Sequence, residues 1–194
     1  MRTVIFSLAA VATLTAATPA MAQVFSGPYV GVEFGLDNYE GQGEDVFVAG
    51  DKFDGLSGNG AVGGVYAGYD IPLGATLFAG IEAQASLSGA KVTYDDTVDS
   101  LTLKAKESFG ASARLGAMLN DSTALYAKAG WVNTKFKGTI NGFSDSDRDD
   151  ALVLGGGIET RVGAGTSIRL EYSYADYSDF VKNNQIKAGV AFRF

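Results

Sequence analysis

The feature that most constrains this chain is a strict two-residue alternation whose two faces have opposite needs. It runs through eight stretches: Tyr29–Asp37, Gly60–Ile71, Thr76–Ser88, Leu101–Leu119, Thr123–Phe136, Ala151–Val162, Thr166–Asp176 and Gln185–Phe194. One face reads Val30, Val32, Phe34, Leu36 in the first stretch and Ile186, Ala188, Val190, Phe192, Phe194 in the last. No residue on this face is charged in any stretch, although 19% of the chain is. A period of two is the period of a β-strand, and helical spacing is missing. The fourth stretch is long enough that its first half could be loop.

The other face mixes charge with glycine. It carries Glu33, Glu82, Arg114, Lys128, Glu159, Arg161, Arg169, Glu171, Lys187 and Arg193, interspersed with glycines such as Gly31, Gly68, Gly116 and Gly157. A solvent face tolerates charge but has no use for glycine, which weakens a strand. A narrow concave interior uses both, because glycine makes room for a long side chain reaching across. The charged face therefore points inward and the apolar face outward. An outward apolar face on a closed sheet requires lipid. The expected fold is all-β: an eight-stranded antiparallel up-and-down transmembrane β-barrel.

The connections fit that topology. Short links at Asp70–Ala75, Asn120–Ser122 and Gly163–Gly165 alternate with longer polar ones near residues 38–59, 89–104, 137–150 and 177–184. This is the pattern of tight turns at one membrane face and long loops at the other. Tyr29, Tyr69, Phe192 and Phe194 fall near the turn end, and Phe109, Trp131 and Tyr174 near the loop end. Aromatic girdles at both interfaces are expected, with Tyr29, Tyr69, Trp131 and Tyr174 as members.

Residues 1–22 read as a signal peptide. Met1-Arg2 is a basic start, Val4–Ala17 an uncharged apolar run, and Ala20-Met21-Ala22 a small-residue cleavage site. The apolar run is too short to span a bilayer as a helix. The expected barrel domain is 23–194, with an outer-membrane destination.

Composition removes most chemistry. The chain has no His and no Cys, which excludes the common nucleophile–base pairs, imidazole ligands and thiolate sites. The formal charge of -7 and pI near 4.5 argue against a nucleic-acid partner. No enzyme activity, cofactor or metal is expected. Gly155-Gly156-Gly157 lies inside an alternating stretch with no Lys-Ser/Thr after it, so close packing explains it better than phosphate binding. The run Asn141–Asp150 has alternating carboxylates that could attract a divalent cation, but it lacks the glycine of a tight calcium loop. A solvated surface loop is the better reading.

The residues Tyr29-Val30-Gly31, Val65-Tyr66-Ala67-Gly68-Tyr69-Asp70, Arg169–Asp176 and the ending Val190-Ala191-Phe192-Arg193-Phe194 resemble the small eight-stranded outer-membrane barrels. These are the OmpX and OmpA membrane-domain type, and the stand-alone outer-membrane β-barrel or porin-family proteins of alphaproteobacteria. The resemblance implies that Phe192 and the terminal Phe194 form the signal read by the barrel-insertion machinery. The remaining expected partners are the lipid bilayer, lipopolysaccharide and an unidentified ligand of the surface loops.

The expected role is structural: a barrel with a plugged interior that supports envelope integrity and displays four loops. The alternatives are a small diffusion porin and, through Tyr39, Tyr94 or Tyr177, a haem or ligand receptor. The expected plug is ionic, with Glu33 or Glu82 paired across the lumen to Arg114 or Lys128. The inward face as read holds four acids and six bases, with Lys187 and Arg193 near the two ends.

Overall fold

The computed structural model describes residues 24–44, 52–95, 100–140, 143–178 and 181–194. The expected signal segment 1–22 lies outside them. The strands are β1 (Gly27–Glu44), β2 (Lys52–Pro72), β3 (Leu77–Ser88), β4 (Lys91–Asp95), β5 (Ser100–Met118), β6 (Thr123–Ile140), β7 (Phe143–Gly163), β8 (Thr166–Ser178) and β9 (Val181–Arg193). All pairings are antiparallel. The sheet closes because β1 pairs with β9 and β3 pairs with β5.

Among the described residues nine strands make eight staves. β3 lies beside Glu107–Ala117 of β5, and β4 beside Ser100–Lys104 of the same strand. They are one stave interrupted at Gly89-Ala90. The Gly89 amide donates to Ala61 O (2.8 Å) and the Ala105 amide to Ala90 O (3.2 Å), stitching the interruption to both neighbours. A bulge in β5 between Ala105 and Ser108 sits at the same level.

The long polar links are mostly strand, which corrects the expectation of loops. β1 and β2 stay paired to Glu44↔Lys52, and β6 and β7 to Ile140↔Phe143. β5 is strand throughout Ser100–Met118, including the first half that the sequence left open as strand or loop. Asp145–Asp150 of the expected acidic loop belong to β7, and only its tip, 141–142, lies outside the described residues. The reason is that polarity reports solvent exposure, whereas antiparallel pairing satisfies the backbone whatever the side chains are. At about 3.3 Å per residue, the 21 residues of β7 run ~70 Å, well beyond an apolar band ~25 Å tall.

Tight turns close the other end. Gly165, at φ +76, turns β7 into β8, a conformation favoured by glycine. Between β5 and β6 the Asn120 side chain accepts the amides of Ser122 and Thr123, both at 2.9 Å. Asp70 corrects the sequence reading here: it lies within β2 opposite Gly80, not in a turn.

Side-chain direction follows the alternation. Val32, Phe34, Leu36, Ile81, Leu115 and Leu152 are exposed on the outer wall, while Glu33, Glu82, Arg114, Lys128, Glu159, Arg169, Glu171 and Lys187 are buried. Glycines on the inner face make room for rings from neighbouring strands. A Cβ at Gly68 would strike the Tyr29 ring and hydroxyl, and one at Gly116 the Phe78 ring. Gly68→Ala is therefore expected to lose about 1–3 kcal/mol by overpacking. Urea titration of the refolded barrel checks this, and an unchanged midpoint would mean that the Tyr29 ring is free to move aside.

Candidate functional site

The inner wall is the candidate site, and it is built in layers. At the turn end, Val24–Ser26 folds into the mouth. Phe25 is fully buried, 5.6 Å from the Phe78 ring and between the guanidiniums of Arg161 (4.3 Å) and Arg193 (4.4 Å). Arg161 is half-buried there.

The next layer is an ionic square. Arg114 donates from Nε and Nη2 to Asp70 (2.8 and 2.5 Å) and from Nη1 to Glu159 (3.1 Å). Arg193 donates to the same two acids, at 2.7 Å to Asp70 and 2.8 Å to Glu159. Ser167 Oγ completes the Glu159 contacts at 2.6 Å. Two arginines meet two carboxylates, and the Arg114 guanidinium is flanked by the rings of Tyr29, Phe78 and Tyr126.

Mid-barrel, three acids meet three cations. Arg169 bridges Glu33 (2.7 Å) and Glu82 (2.6 Å) while lying 3.4 Å over the Tyr66 ring. Lys187 binds Glu33 at 2.8 Å, and Lys128 binds Glu171 at 2.6 Å. Tyr29 and Tyr126 donate their hydroxyls to Glu82 (2.9 Å) and Glu171 (2.8 Å).

Above this, toward the long hairpins, rings and small apolar side chains fill the lumen together with buried Asp37, Asn183 and Thr134. Tyr39, Phe136 and Tyr177 form a trio with ring centroids 5.3–6.2 Å apart over Val132, Ala151 and Val153. The Thr134 and Tyr177 hydroxyls are 2.6 Å apart, and those of Ser108 and Thr134 2.8 Å.

Several expected placements are corrected. Tyr29 is not a girdle residue: it is 1% exposed and inside the barrel, because it is one residue from outward Val30. Tyr69 and Trp131 do project outward, each 49% exposed, and Tyr174 is half-buried on the same wall. Phe192 and Phe194 are exposed at the turn end. Of the expected cross-lumen pairs, Glu82 lies 3.7 Å from Lys128, but Arg114 reaches Asp70 and Glu159 instead because it sits a layer nearer the turn end. Lys187 is buried in the middle layer and does not reach water. Tyr39 and Tyr177 are packed strand residues, not rim tyrosines, and the Tyr94 side chain lies outside the described residues.

Sequence reasoning missed Asp70 and Asp37, both buried. Each was legible by parity: Asp70 follows Tyr66 and Gly68 on one face, and Asp37 follows Glu33 and Gly35. Counted with them, the inner face holds six acids and six bases; Asp70 joins the ion pairs, while among the described residues no ion pair holds Asp37 or Arg161. Among the described residues, no group of three or more His, Cys, Asp or Glu side chains could hold a metal ion.

The family model described as "Outer membrane protein beta-barrel domain" matches residues 6–194. Solved structures match in fold. Neisserial surface protein A has a TM-score of 0.60 at 18% identity, over 87% of this chain and 98% of that one. OprG of Pseudomonas aeruginosa gives 0.55 at 12%, over 90% and 99%. The attachment invasion locus protein Ail of Yersinia pestis gives 0.54 at 16%, over 87% and 99%. A comparison with curated proteins gives no match.

Proposed function

We infer that this chain, which belongs to the outer membrane protein beta-barrel domain family and resides in the outer membrane, acts as a sealed structural barrel. It supports envelope integrity and presents its long hairpins to the surroundings. The observation that carries the reading is the filled lumen: two stacked, charge-balanced ion-pair layers between an aromatic stopper at Phe25 and an aromatic trio at Tyr39, Phe136 and Tyr177. An eight-stranded barrel has an interior just wide enough for its own side chains. Displacing a buried ion pair to admit a solute leaves charges uncompensated. Catalysis is disfavoured because the buried glutamates and Asp70 are ion-paired, Asp37 stands, among the described residues, with no second carboxylate or base beside it in an ion pair, and the chain has no His or Cys.

Planar-bilayer recording tests the seal. Refolded wild-type monomer should show no steady ohmic channels of porin size, and such channels would favour the diffusion-porin reading. Deleting the protein from its cell should raise detergent sensitivity, and unchanged sensitivity would count against the envelope role.

Assembly is proposed to use both chain ends. Residues 1–22 direct export and are removed, and Phe194 with Phe192 is read by the insertion machinery. Intact mass of membrane-extracted protein should start at Gln23. Deleting Phe194 should lower the outer-membrane level of heat-modifiable barrel, and an unchanged level would remove Phe194 from that role.

A further inference from the structure

The outer wall carries a charge arrangement that the sealed-barrel reading leaves unexplained. Beyond Trp131, toward the long hairpins, β4, β5 and β6 bring Lys91, Lys104 and Lys137 into one cross-strand row: Lys91↔Lys104 and Lys104↔Lys137 are direct partners. All three point outward, since their neighbours Ala90, Ala105 and Phe136 pack inside. In the row beneath, the β5 bulge residues Lys106 and Glu107 lie opposite Lys135, and Lys135 opposite Arg148. Among the described residues Glu107 is the one carboxylate within these two rows. It is shared between Lys135 (3.6 Å) and Arg148 (3.2 Å), all three side chains being about two-fifths exposed. No ion pair among the described residues holds Lys91, Lys104, Lys106 or Lys137.

Like charges directly opposite on a sheet are destabilising. Six cations against one acid are also unexpected in a chain of net charge -7. The patch does not face the medium above the barrel. It continues the wall that carries Phe109 and Trp131, with the Arg148 guanidinium 5.8 Å from the Phe109 ring. Below it, small outward residues Ala111, Ala113 and Ala129 floor a groove walled by Trp131, Ile81 and Leu152. Lys135 is four residues past Trp131, so the lower row stands about 13 Å along the strand from the aromatic level and the upper row about 20 Å. Cations at two heights match a lipid with anionic groups at two heights.

We propose that this face of β4–β7 binds a phosphate-bearing glycolipid of the outer leaflet, its acyl chain in the alanine-floored groove and its phosphates on the two cationic rows. The proposal rests on outer-membrane residence and not on the sealed lumen, so the conductance test and this one fail independently.

The probe is fluorescently labelled lipopolysaccharide, titrated into the refolded barrel in zwitterionic micelles. The same lipopolysaccharide after dephosphorylation and phosphatidylglycerol serve as comparisons. Wild type should bind the phosphorylated form most tightly, with affinity falling as salt rises. Lys104→Gln/Lys137→Gln/Arg148→Gln should weaken binding about tenfold or more. Heat-modifiable migration confirms that the variant is folded. If it is not, the salt dependence and the dephosphorylated comparison in wild type decide. Equal binding of the dephosphorylated lipid, equal binding of phosphatidylglycerol, a flat salt dependence or an unweakened folded variant would each overturn the proposal.

Discussion

Replacing Arg169 by methionine is expected to cost the barrel about 3–5 kcal/mol of unfolding free energy, because it strands buried carboxylates without their cation. Arg169 holds Glu33 at 2.7 Å and Glu82 at 2.6 Å, and both acids are within 5% of full burial. After the substitution Glu33 keeps Lys187 at 2.8 Å, but Glu82 keeps only the Tyr29 hydroxyl and Lys128 at 3.7 Å. The loss should therefore concentrate on Glu82. Arg169→Met/Glu82→Gln should cost less than Arg169→Met alone, since the second change removes the stranded charge. Reversible urea unfolding of the refolded barrel measures both. A single-variant loss below about 1 kcal/mol would mean that the middle layer is solvated, as an exposed pair is.

The inward charges of that layer were readable from the sequence because strand parity is a rigid rule. Once Val32 and Phe34 point outward, Glu33 points in, and the same reasoning holds for Glu82, Arg114, Lys128, Glu159, Arg169 and Glu171. Which inward charges meet was not readable, because pairing depends on height within the barrel and on the stagger between strands. Arg114 and Glu82 share a face but not a layer, so Arg114 finds Asp70. Asp70 itself escaped notice because Asp-Ile-Pro resembles a turn. In the structure Pro72 only ends β2, where a missing donor is tolerated. Tyr29 escaped for the opposite reason: an aromatic near a membrane interface suggests a girdle, yet its parity places it inside against Gly68. The hairpin extensions of β1, β2, β6 and β7 were hidden because polar, glycine-containing strands lose the apolar half of the alternation once they leave the membrane.

The two faces also constrain each other. The inner face is charged, hydrogen-bonded and closed on itself, so it gives the barrel stability without presenting those charges to lipid. The outer face can then be almost featureless through the apolar band, with alanine and aliphatic residues in most positions. Under the glycolipid proposal, polar recognition takes place at the levels beyond Phe109 and Trp131. A chain with the same composition but a one-residue slip in register would expose every ion pair to lipid and bury every Val and Leu in a charged lumen, so the register is strongly specified.

That division predicts a large asymmetry between adjacent residues. Ala113 lies midway along the outward face of β5, between Phe109 and Ala117, with Ile81 and Ala129 as its cross-strand partners. Ala113→Arg places a guanidinium at the level of the bilayer midplane with no acid among its cross-strand partners to meet it. It is expected to destabilise the barrel by about 2–4 kcal/mol in lipid vesicles. The same substitution at Leu119, exposed at the turn end, is expected to cost no more than about 1 kcal/mol, because the side chain reaches the headgroups and water. Urea unfolding of both variants in the same vesicles gives the comparison. Equal costs at the two depths would mean that the face bearing Ala113 does not meet hydrocarbon, and the inside-out assignment of the sheet would have to be reversed.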